Sequence, residues 1–245
     1  MILDIYKDAL EYSYQSLSTL LKLGVLFLLS FLIIPIFLVY GYDYRVTLKA
    51  VNGMIGGSDG LPEFTDAIGM LIEGVKVLIV NLIYMLVPFL LFMVIMAIAG
   101  NLQGTGAAAV LIIGFIIVFA ISVIAYLMSK MAIAHMAVNE GSLSKAFAIK
   151  ELYEIISSIG WLRVIGTYIG IIVLSVILTN IVYWVIGFIF TALGFSTAVL
   201  GAGGYISGGI MGFGMILSVL IMMFIVGPFL HILDARATGL LYNLH

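Results

Sequence analysis

His135 and His231, together with a few carboxylates, are the side chains of this chain best suited to metal binding or acid–base chemistry. Asp43, Asp234 and Glu140 could supply further ligands. A metal site needs ligands that converge, and no short spacing such as His-x-x-x-His brings these residues together. We therefore expect no metal site, and interpret the two histidines as interfacial side chains satisfied by the backbone or by lipid headgroups.

Ser196 and His231 are the residues that could form a serine–histidine catalytic pair. Ser196 belongs to a glycine-rich turn, whereas His231 lies at the far end of the next apolar segment. A helix crossing a bilayer would separate them by ~25–30 Å, whereas a catalytic hydrogen bond needs about 3 Å. The chain has no cysteine to act as a nucleophile or thiolate ligand. We predict no catalytic residue, no enzymatic activity and no cofactor.

The helices that position these side chains can be predicted from the segments of the chain that lack charged residues. Residues 23–42, 77–129 and 164–233 contain no Asp, Glu, Lys or Arg. Charge at mid-bilayer is costly, and a spanning helix needs about 20 apolar residues. The chain is 64% hydrophobic and 9% charged, with a mean hydropathy of +1.30. These values predict an all-α polytopic membrane protein.

Glycine-rich turns divide the two longest uncharged segments. They lie at 100–106 and 194–209. Amphipathic stretches elsewhere predict helices at the membrane surface, and Pro62 suits the first position of one of them. We predict one membrane domain, 1–245, made of interfacial helices 2–17, 62–74 and 145–159, spans 76–99, 107–130, 164–193 and 210–233, and the apolar stretch 23–42.

The stretch 23–42 allows two topologies. At ~1.5 Å per residue it can cross the bilayer once but not twice. A re-entrant hairpin bending near Ser30–Pro35 would leave all ten Lys and Arg residues on one side, so we favour it over a fifth span. By the positive-inside rule that side is cytoplasmic. We expect a cell-membrane protein with its charged loops and C-terminus in the cytoplasm.

The chain also resembles itself at a spacing of 87 residues. Residues 50–52 (Ala-Val-Asn) recur at 137–139, and the basic residues Lys76 and Arg163 align. We interpret this as an internal repeat of an interfacial helix followed by a hairpin into lipid. Lys76 and Arg163 should then each begin a span. The helix dipole opposes a cation there, so phosphate headgroups or a nearby carboxylate should compensate, unless the side chain snorkels to the interface. The candidate carboxylates are Glu73 for Lys76 and Glu154 for Arg163.

An Asp-x-Arg pattern follows two different apolar segments, as Asp43-Tyr44-Arg45 and Asp234-Ala235-Arg236. Residues two apart on a helix do not face each other, so each should find partners elsewhere. Ordinary anchoring at the membrane boundary is one interpretation. The other is a cluster that joins helices or binds lipid phosphate through Arg45 or Arg236. The predicted lipid-headgroup or inter-helix charge cluster comprises Asp43, Arg45, Lys76, Arg163, Asp234 and Arg236.

Glycines recur every four residues in two of the predicted spans. Gly204, Gly208 and Gly212 share one helix face, as do Gly166 and Gly170. Small residues at this spacing let helices approach closely in lipid. We predict packing within the chain, with a homo-oligomer interface as the alternative.

Several short motifs occur in a fixed order along the chain. They are Gly41-Tyr42-Asp43-Tyr44-Arg45, Leu61-Pro62-Glu63-Phe64, Gly74-Val75-Lys76, Phe147 and Asp234-Ala235-Arg236-Ala237-Thr238-Gly239. Together they resemble family 4013 of the domains of unknown function, which consists largely of archaeal membrane proteins, and the resemblance extends over nearly the whole chain. It implies a shared membrane architecture and no assigned biochemistry. The layout is more remotely similar to the membrane domain of some glycerophosphodiester phosphodiesterases, whose catalytic domain has no counterpart here.

We expect a non-enzymatic scaffold or assembly subunit that engages lipids, a second copy of itself or another membrane protein. The net charge of −2 does not indicate nucleic acid as a partner. A small-solute transporter or channel is the first alternative, and it would need a polar path past Asn81 and Asn180. An intramembrane enzyme is a distant alternative, and it would need a carboxylate within hydrogen-bonding reach of a histidine.

Overall fold

A computed structural model describes residues 2–201 and 204–245, and within them every regular element is helical. A 3₁₀ turn, Leu29–Leu32, separates α2 from α3, and a π-helical turn, Met222–Val226, separates α9 from α10. The helices are α1 (Ile2–Ser13), α2 (Leu17–Leu28), α3 (Ile34–Asn52), α4 (Ala67–Gly100), α5 (Thr105–Val138), α6 (Leu143–Ala146), α7 (Ile149–Ile159), α8 (Trp161–Val199), α9 (Gly204–Ile221) and α10 (Gly227–Tyr242).

Four helical stretches are long and apolar enough to cross a membrane. They are α4, α5, the part of α8 up to Thr197, and the run Ile206–Tyr242 that joins α9 to α10. Each of the first two has 34 residues, about 51 Å at 1.5 Å per residue, against a hydrocarbon core of about 30 Å. The prediction of an all-α polytopic membrane protein is confirmed.

The long helices form two hairpins. α4 packs along α5, and α8 packs along α9. Glycines allow the close approach in the second hairpin, where a Cβ at Gly194 would lie 2.9 Å from the Met211 side chain. The predicted break at 194–209 is too long. α8 continues to Val199, since the Ser196 and Thr197 hydroxyls donate to the Leu193 carbonyl within an unbroken helix.

The ends of the hairpins opposite their turns form a compact base with α1, α3, α6, α7 and α10. The buried apolar core lies there and includes Met131, Met136, Ile156 and Leu240. Beyond the base, large apolar side chains of the hairpins are exposed, as for a surface that faces lipid. In the described residues, extensive helix packing in that region is within each hairpin rather than between the two.

α2 and α3 form a shorter helical hairpin beside the base. The chain leaves α2 through the 3₁₀ turn and passes Ile33, whose φ is 68°. The side chains of Leu20 and Leu23, near the start of α2, share a buried cluster with Tyr42 and Val46, far along α3. The two helices therefore run antiparallel, and the reversal falls at 29–33, near the bend predicted at Ser30–Pro35.

The predicted interfacial helix 62–74 does not exist as a separate element. α4 begins at Ala67, where the Asp66 side chain accepts a hydrogen bond from Gly69 N (3.1 Å), and it continues unbroken to Gly100. Pro62 lies before this helix rather than at its first position. An aspartate cap followed by an apolar run is a normal helix start, and it overrides the proline signal.

The two supposed repeat units differ at this junction. Gly160, with φ of 98°, separates α7 from α8, so Arg163 lies in the first turn of α8. Lys76 lies in the third turn of the continuous α4 instead. The prediction that both cations begin a span is therefore wrong for Lys76.

Candidate ligand-binding cavity

A cavity of about 320 Å³ lies where the base gives way to the two hairpins, and its volume falls in the range of small-ligand sites. Helices α3 and α10 meet α4 and α5 there, and α8 forms the opposite side. On α8 the wall includes Ile172 and Val176, each 55% exposed. The cavity therefore has a polar floor toward the base and an apolar side toward the lipid-facing hairpins.

The floor carries two pairs of opposite charge. His231 Nδ1 lies 2.8 Å from Asp43 Oδ2, and Lys130 Nζ pairs with Asp234 Oδ2. All four residues line the cavity. Phe27 of α2 packs edge-on against the His231 ring, with centroids 4.9 Å apart. Four helices, α2, α3, α5 and α10, therefore hold these charges in place.

Each of the two carboxylates has a second oxygen that lacks a partner. Among the described residues, Asp43 Oδ1 and Asp234 Oδ1 are buried and accept no hydrogen bond. A buried unsatisfied acceptor costs roughly 1–3 kcal/mol. Both residues line the cavity, so a hydrogen-bond donor that reached these oxygens from the cavity would relieve this cost.

Aromatic rings and neutral polar groups complete the walls. Tyr40, Tyr44 and Tyr126 line the cavity, and Lys130 Nζ lies 5.3 Å from the Tyr126 ring centroid. Burial, with a smaller contribution from the charge of Glu73, raises the pKa of Tyr44 to about 12, so its hydroxyl stays protonated. The walls therefore add π-faces without adding negative charge.

The positions of Asp43, Lys130 and Asp234, each directly after an uncharged segment, explain why these charges lie close together. Asp43 is the first charged residue after the uncharged segment 23–42, and Lys130 and Asp234 are the first after the other two. Apolar segments that end at the same level bring their terminal charges together. Asn81, one turn into its uncharged segment, also lines the cavity and accepts a hydrogen bond from Ser129 (2.6 Å).

The six residues predicted as a charge cluster do not form one cluster. Only Asp43 and Asp234 share the cavity. Arg45 Nε lies 2.6 Å from Glu73 Oε2 and so joins α3 to α4. Glu73 therefore serves Arg45 and not Lys76, which donates to the Gly141 carbonyl oxygen (2.9 Å) instead. The predicted Glu73–Lys76 pair is wrong.

Arg163 and Arg236 also have protein partners. Arg163 donates to the Ile159 carbonyl oxygen (3.3 Å), and the described residues contain no ion pair between Arg163 and the predicted Glu154. Arg236 is fully buried, with its Nε 2.7 Å from Asp8 Oδ1. A lipid phosphate cannot reach Arg236, so this part of the headgroup prediction is wrong.

The two histidines are satisfied by side chains, not by the backbone or headgroups as expected. His135 bridges Tyr242 Oη (2.7 Å) and Glu151 Oε2 (3.0 Å), away from the cavity. Hydrogen bonds from Lys145 and then from His135 hold the pKa of Glu151 below its ordinary value. No group of three His, Asp or Glu residues in the described chain is arranged to hold a metal ion.

The glycines that bring helices together are mostly not the predicted ones. Gly204, Gly208, Gly212 and Gly166 have open space toward the described residues where a Cβ would be, so their packing within the chain stays a prediction. Gly170 does pack, against the Tyr6 ring.

The closest helix contact uses Gly41 of α3 and Gly74 of α4. A Cβ at either would clash with a backbone carbonyl of the other helix, that of Met70 or of Phe37. Both glycines belong to motifs used above for the family resemblance. Neither of them has a second glycine four residues away in its helix, so the four-residue spacing does not predict this contact.

Comparison with family sequence models gives one match, described as protein of unknown function (DUF4013), over residues 26–191. The match covers more than half of the chain, which therefore belongs to this family. It excludes the segment 234–239, so the resemblance is less extensive than expected. Comparisons with curated proteins and with solved structures find no match.

Proposed function

We propose that this DUF4013 protein is a non-enzymatic membrane scaffold that holds lipid between its two helical hairpins. The supporting observation is the position of the cavity. Its charged floor joins the base, and its apolar wall continues into hairpin surfaces that carry exposed side chains such as Phe188 (75%) and Phe119 (72%). An amphiphile has the same division into a polar head and apolar chains.

In this proposal the base lies in the cytoplasm and the hairpins lie in the bilayer. Both hairpin turns lack Lys and Arg, whereas the base carries them, as the positive-inside rule requires of a cytoplasmic side. The α2–α3 hairpin enters the membrane and returns to the side it came from. Its apex includes Phe31 and Ile33, which are 75% and 66% exposed and suit contact with acyl chains.

The scaffold also has a surface for other membrane-embedded protein. Gly204, Gly208 and Gly212 lie on one face of α9 with open space before them. Small residues at this spacing support close helix contact in lipid. We propose that a second copy, or another membrane protein, packs there.

Retention of lipid tests the central proposal. The full chain is purified in detergent, and the lipid bound per protein is measured by native mass spectrometry. Ser175 lines the cavity, so Ser175→Trp should fill it and reduce bound lipid. Ile177, half-exposed on the same helix and outside the cavity, provides the control Ile177→Trp. Equal lipid retention in the two variants, or no bound lipid in the unaltered protein, would overturn the proposal.

An intramembrane enzyme is the second candidate, favoured by the His231–Asp43 contact of 2.8 Å. A carboxylate that orients an imidazole is the arrangement of a general base. His231 would remove a proton from water attacking an ester of a bound lipid. Incubating the protein with ester lipids tests this: hydrolysis that disappears in His231→Gln would favour the enzyme over the scaffold.

The transporter alternative gains less support from the geometry. Asn81 lines the cavity, but Asn180 is exposed and donates to the Val176 carbonyl oxygen of its own helix (2.7 Å). A solute path past both amides would therefore need a rearrangement of α8.

A further inference from the structure

We propose that the cavity selects a primary ammonium group, carried either by a lipid headgroup or by a free amine. The inference rests on the proposed function, because the same cavity is taken to hold lipid, and it adds the chemistry of the group that is recognised. It follows from the charge, the unsatisfied acceptors and the aromatic walls of the site.

The charge of the cavity disfavours an anion. Asp43 and Asp234 carry two negative charges, and Lys130 carries one positive charge. The lining therefore has a net charge of −1 when His231 is neutral and of zero when His231 is protonated beside Asp43, so it is positive in neither state. Among the described residues no further cation lines the cavity, and Arg45 and Arg236 are engaged by other carboxylates. An anionic ligand on this floor would be repelled by two carboxylates, and the one ammonium there, that of Lys130, is already paired with Asp234.

The unsatisfied acceptors favour a cation that carries N–H groups. Asp43 Oδ1 and Asp234 Oδ1 each lack a donor. A primary ammonium has three N–H donors, which is enough for two acceptors, whereas a quaternary ammonium has none. Water could also donate to these oxygens, but it would give no preference among lipid headgroups.

The aromatic walls suit the same group. Tyr40, Tyr44 and Tyr126 line the cavity, and aromatic rings attract cations within about 6 Å. Lys130 Nζ, 5.3 Å from the Tyr126 centroid, already lies in this environment. A second ammonium, that of the ligand, would donate hydrogen bonds to the carboxylates, and the carbon atoms next to it would contact the tyrosine rings.

Three lipids with identical acyl chains and different headgroups test this selectivity. The full chain is placed in lipid nanodiscs that contain equal amounts of phosphatidylethanolamine, phosphatidylcholine and phosphatidylglycerol, and bound lipid is identified by native mass spectrometry. A hydrogen bond to a charged group is worth about a factor of ten in affinity, so we expect ethanolamine over choline by at least about tenfold. Addition of free ethanolamine then identifies the source: displacement of the lipid indicates that the amine alone is bound, and no displacement indicates the lipid headgroup.

The acceptor role is tested by Asp43→Asn, which keeps the shape of the side chain and removes the charge. The ethanolamine preference should fall toward one. Glu63→Gln, on an exposed carboxylate outside the cavity, should leave it unchanged. If Asp43→Asn does not fold, the preference of the unaltered protein for ethanolamine over choline still tests the proposed ammonium site.

The outcomes separate the two proposals. Lipid bound without preference between ethanolamine and choline, or with a preference for glycerol, overturns the ammonium site and leaves the scaffold proposal standing. No bound lipid overturns both.

Discussion

Among the described residues, Arg236 is one of the largest fully buried side chains, and its charge is matched by two carboxylates from distant parts of the chain. Its Nε lies 2.7 Å from Asp8 Oδ1, and Nη1 lies 3.4 Å from Asp59 Oδ2. The guanidinium also lies over the Tyr12 ring, 4.3 Å from its centroid. α10 is thereby joined to α1 and to the loop before α4. We expect the base to depend on this contact.

Asp8→Ala should destabilise the protein strongly. Removing one partner of a buried ion pair leaves an uncompensated charge, which costs about 3–5 kcal/mol. Asp8 Oδ2 also accepts from Gly56 N (2.6 Å), and losing that bond adds about 1 kcal/mol. The matched control is Lys7→Ala, because Lys7 is 77% exposed in its pair with Glu11 at 4.0 Å. Such a surface pair contributes at most about 1 kcal/mol.

The free energy of unfolding can be measured by reversible SDS titration in mixed micelles. A double variant that replaces both Asp8 and Arg236 with Leu should be more stable than Asp8→Leu alone, since replacing a whole buried pair by apolar groups is often neutral. Equal loss in Asp8→Ala and Lys7→Ala would refute the reasoning. A double variant no more stable than the single one would show that packing, and not charge compensation, dominates.

Three further predictions concern packing, topology and pH. Gly41→Val should destabilise the protein by about 1–3 kcal/mol, because its side chain meets backbone of α4, whereas Gly204→Ala should have no such effect on the isolated chain. A cysteine at Thr105 should react with an impermeant reagent outside intact cells and a cysteine at Ser142 should not; the reverse pattern would invert the proposed orientation. The pKa of Glu151 is held below its ordinary 4.5 by its two donors, so its contribution to stability is present above that value and is lost as pH falls through the lowered pKa. Glu151→Gln should flatten this acid limb of a pH titration of stability, and an unchanged acid limb would count against the contact.

The class of fold could be predicted because it depends on composition along the chain. Uncharged segments longer than about 20 residues specify membrane helices regardless of tertiary detail. Helix ends were less predictable. α4 begins after the Asp66 cap and continues past Lys76, whose ammonium donates to the Gly141 carbonyl oxygen in a loop 65 residues away.

The cavity could be predicted only in part, because its chemistry consists of pairings between distant residues. Asp43 and Asp234 were recognised from the repeated Asp-x-Arg pattern. Their partners were not, since His231 is 188 residues from Asp43 and Lys130 is 104 from Asp234. Contacts between residues so far apart in sequence cannot be predicted from the spacing of residues within a motif. The arginines of the same pattern, Arg45 and Arg236, pair with Glu73 and Asp8 instead. Residues two apart on a helix do not face each other, so each arginine has partners different from those of its neighbouring aspartate.

The position of the cavity follows from the same property that determines the fold. A helix that leaves lipid can place its first charge where water or a counter-charge is available, and three apolar segments here end at one level, at Asp43, Lys130 and Asp234. Two carboxylates and one ammonium cannot balance, and His231 restores neutrality only when protonated. One oxygen of each carboxylate, Asp43 Oδ1 and Asp234 Oδ1, is also buried without a hydrogen-bond donor among the described residues. A primary ammonium on an amphiphile supplies both the missing charge and the missing donors, which connects the termini of the apolar segments to what the protein is proposed to bind.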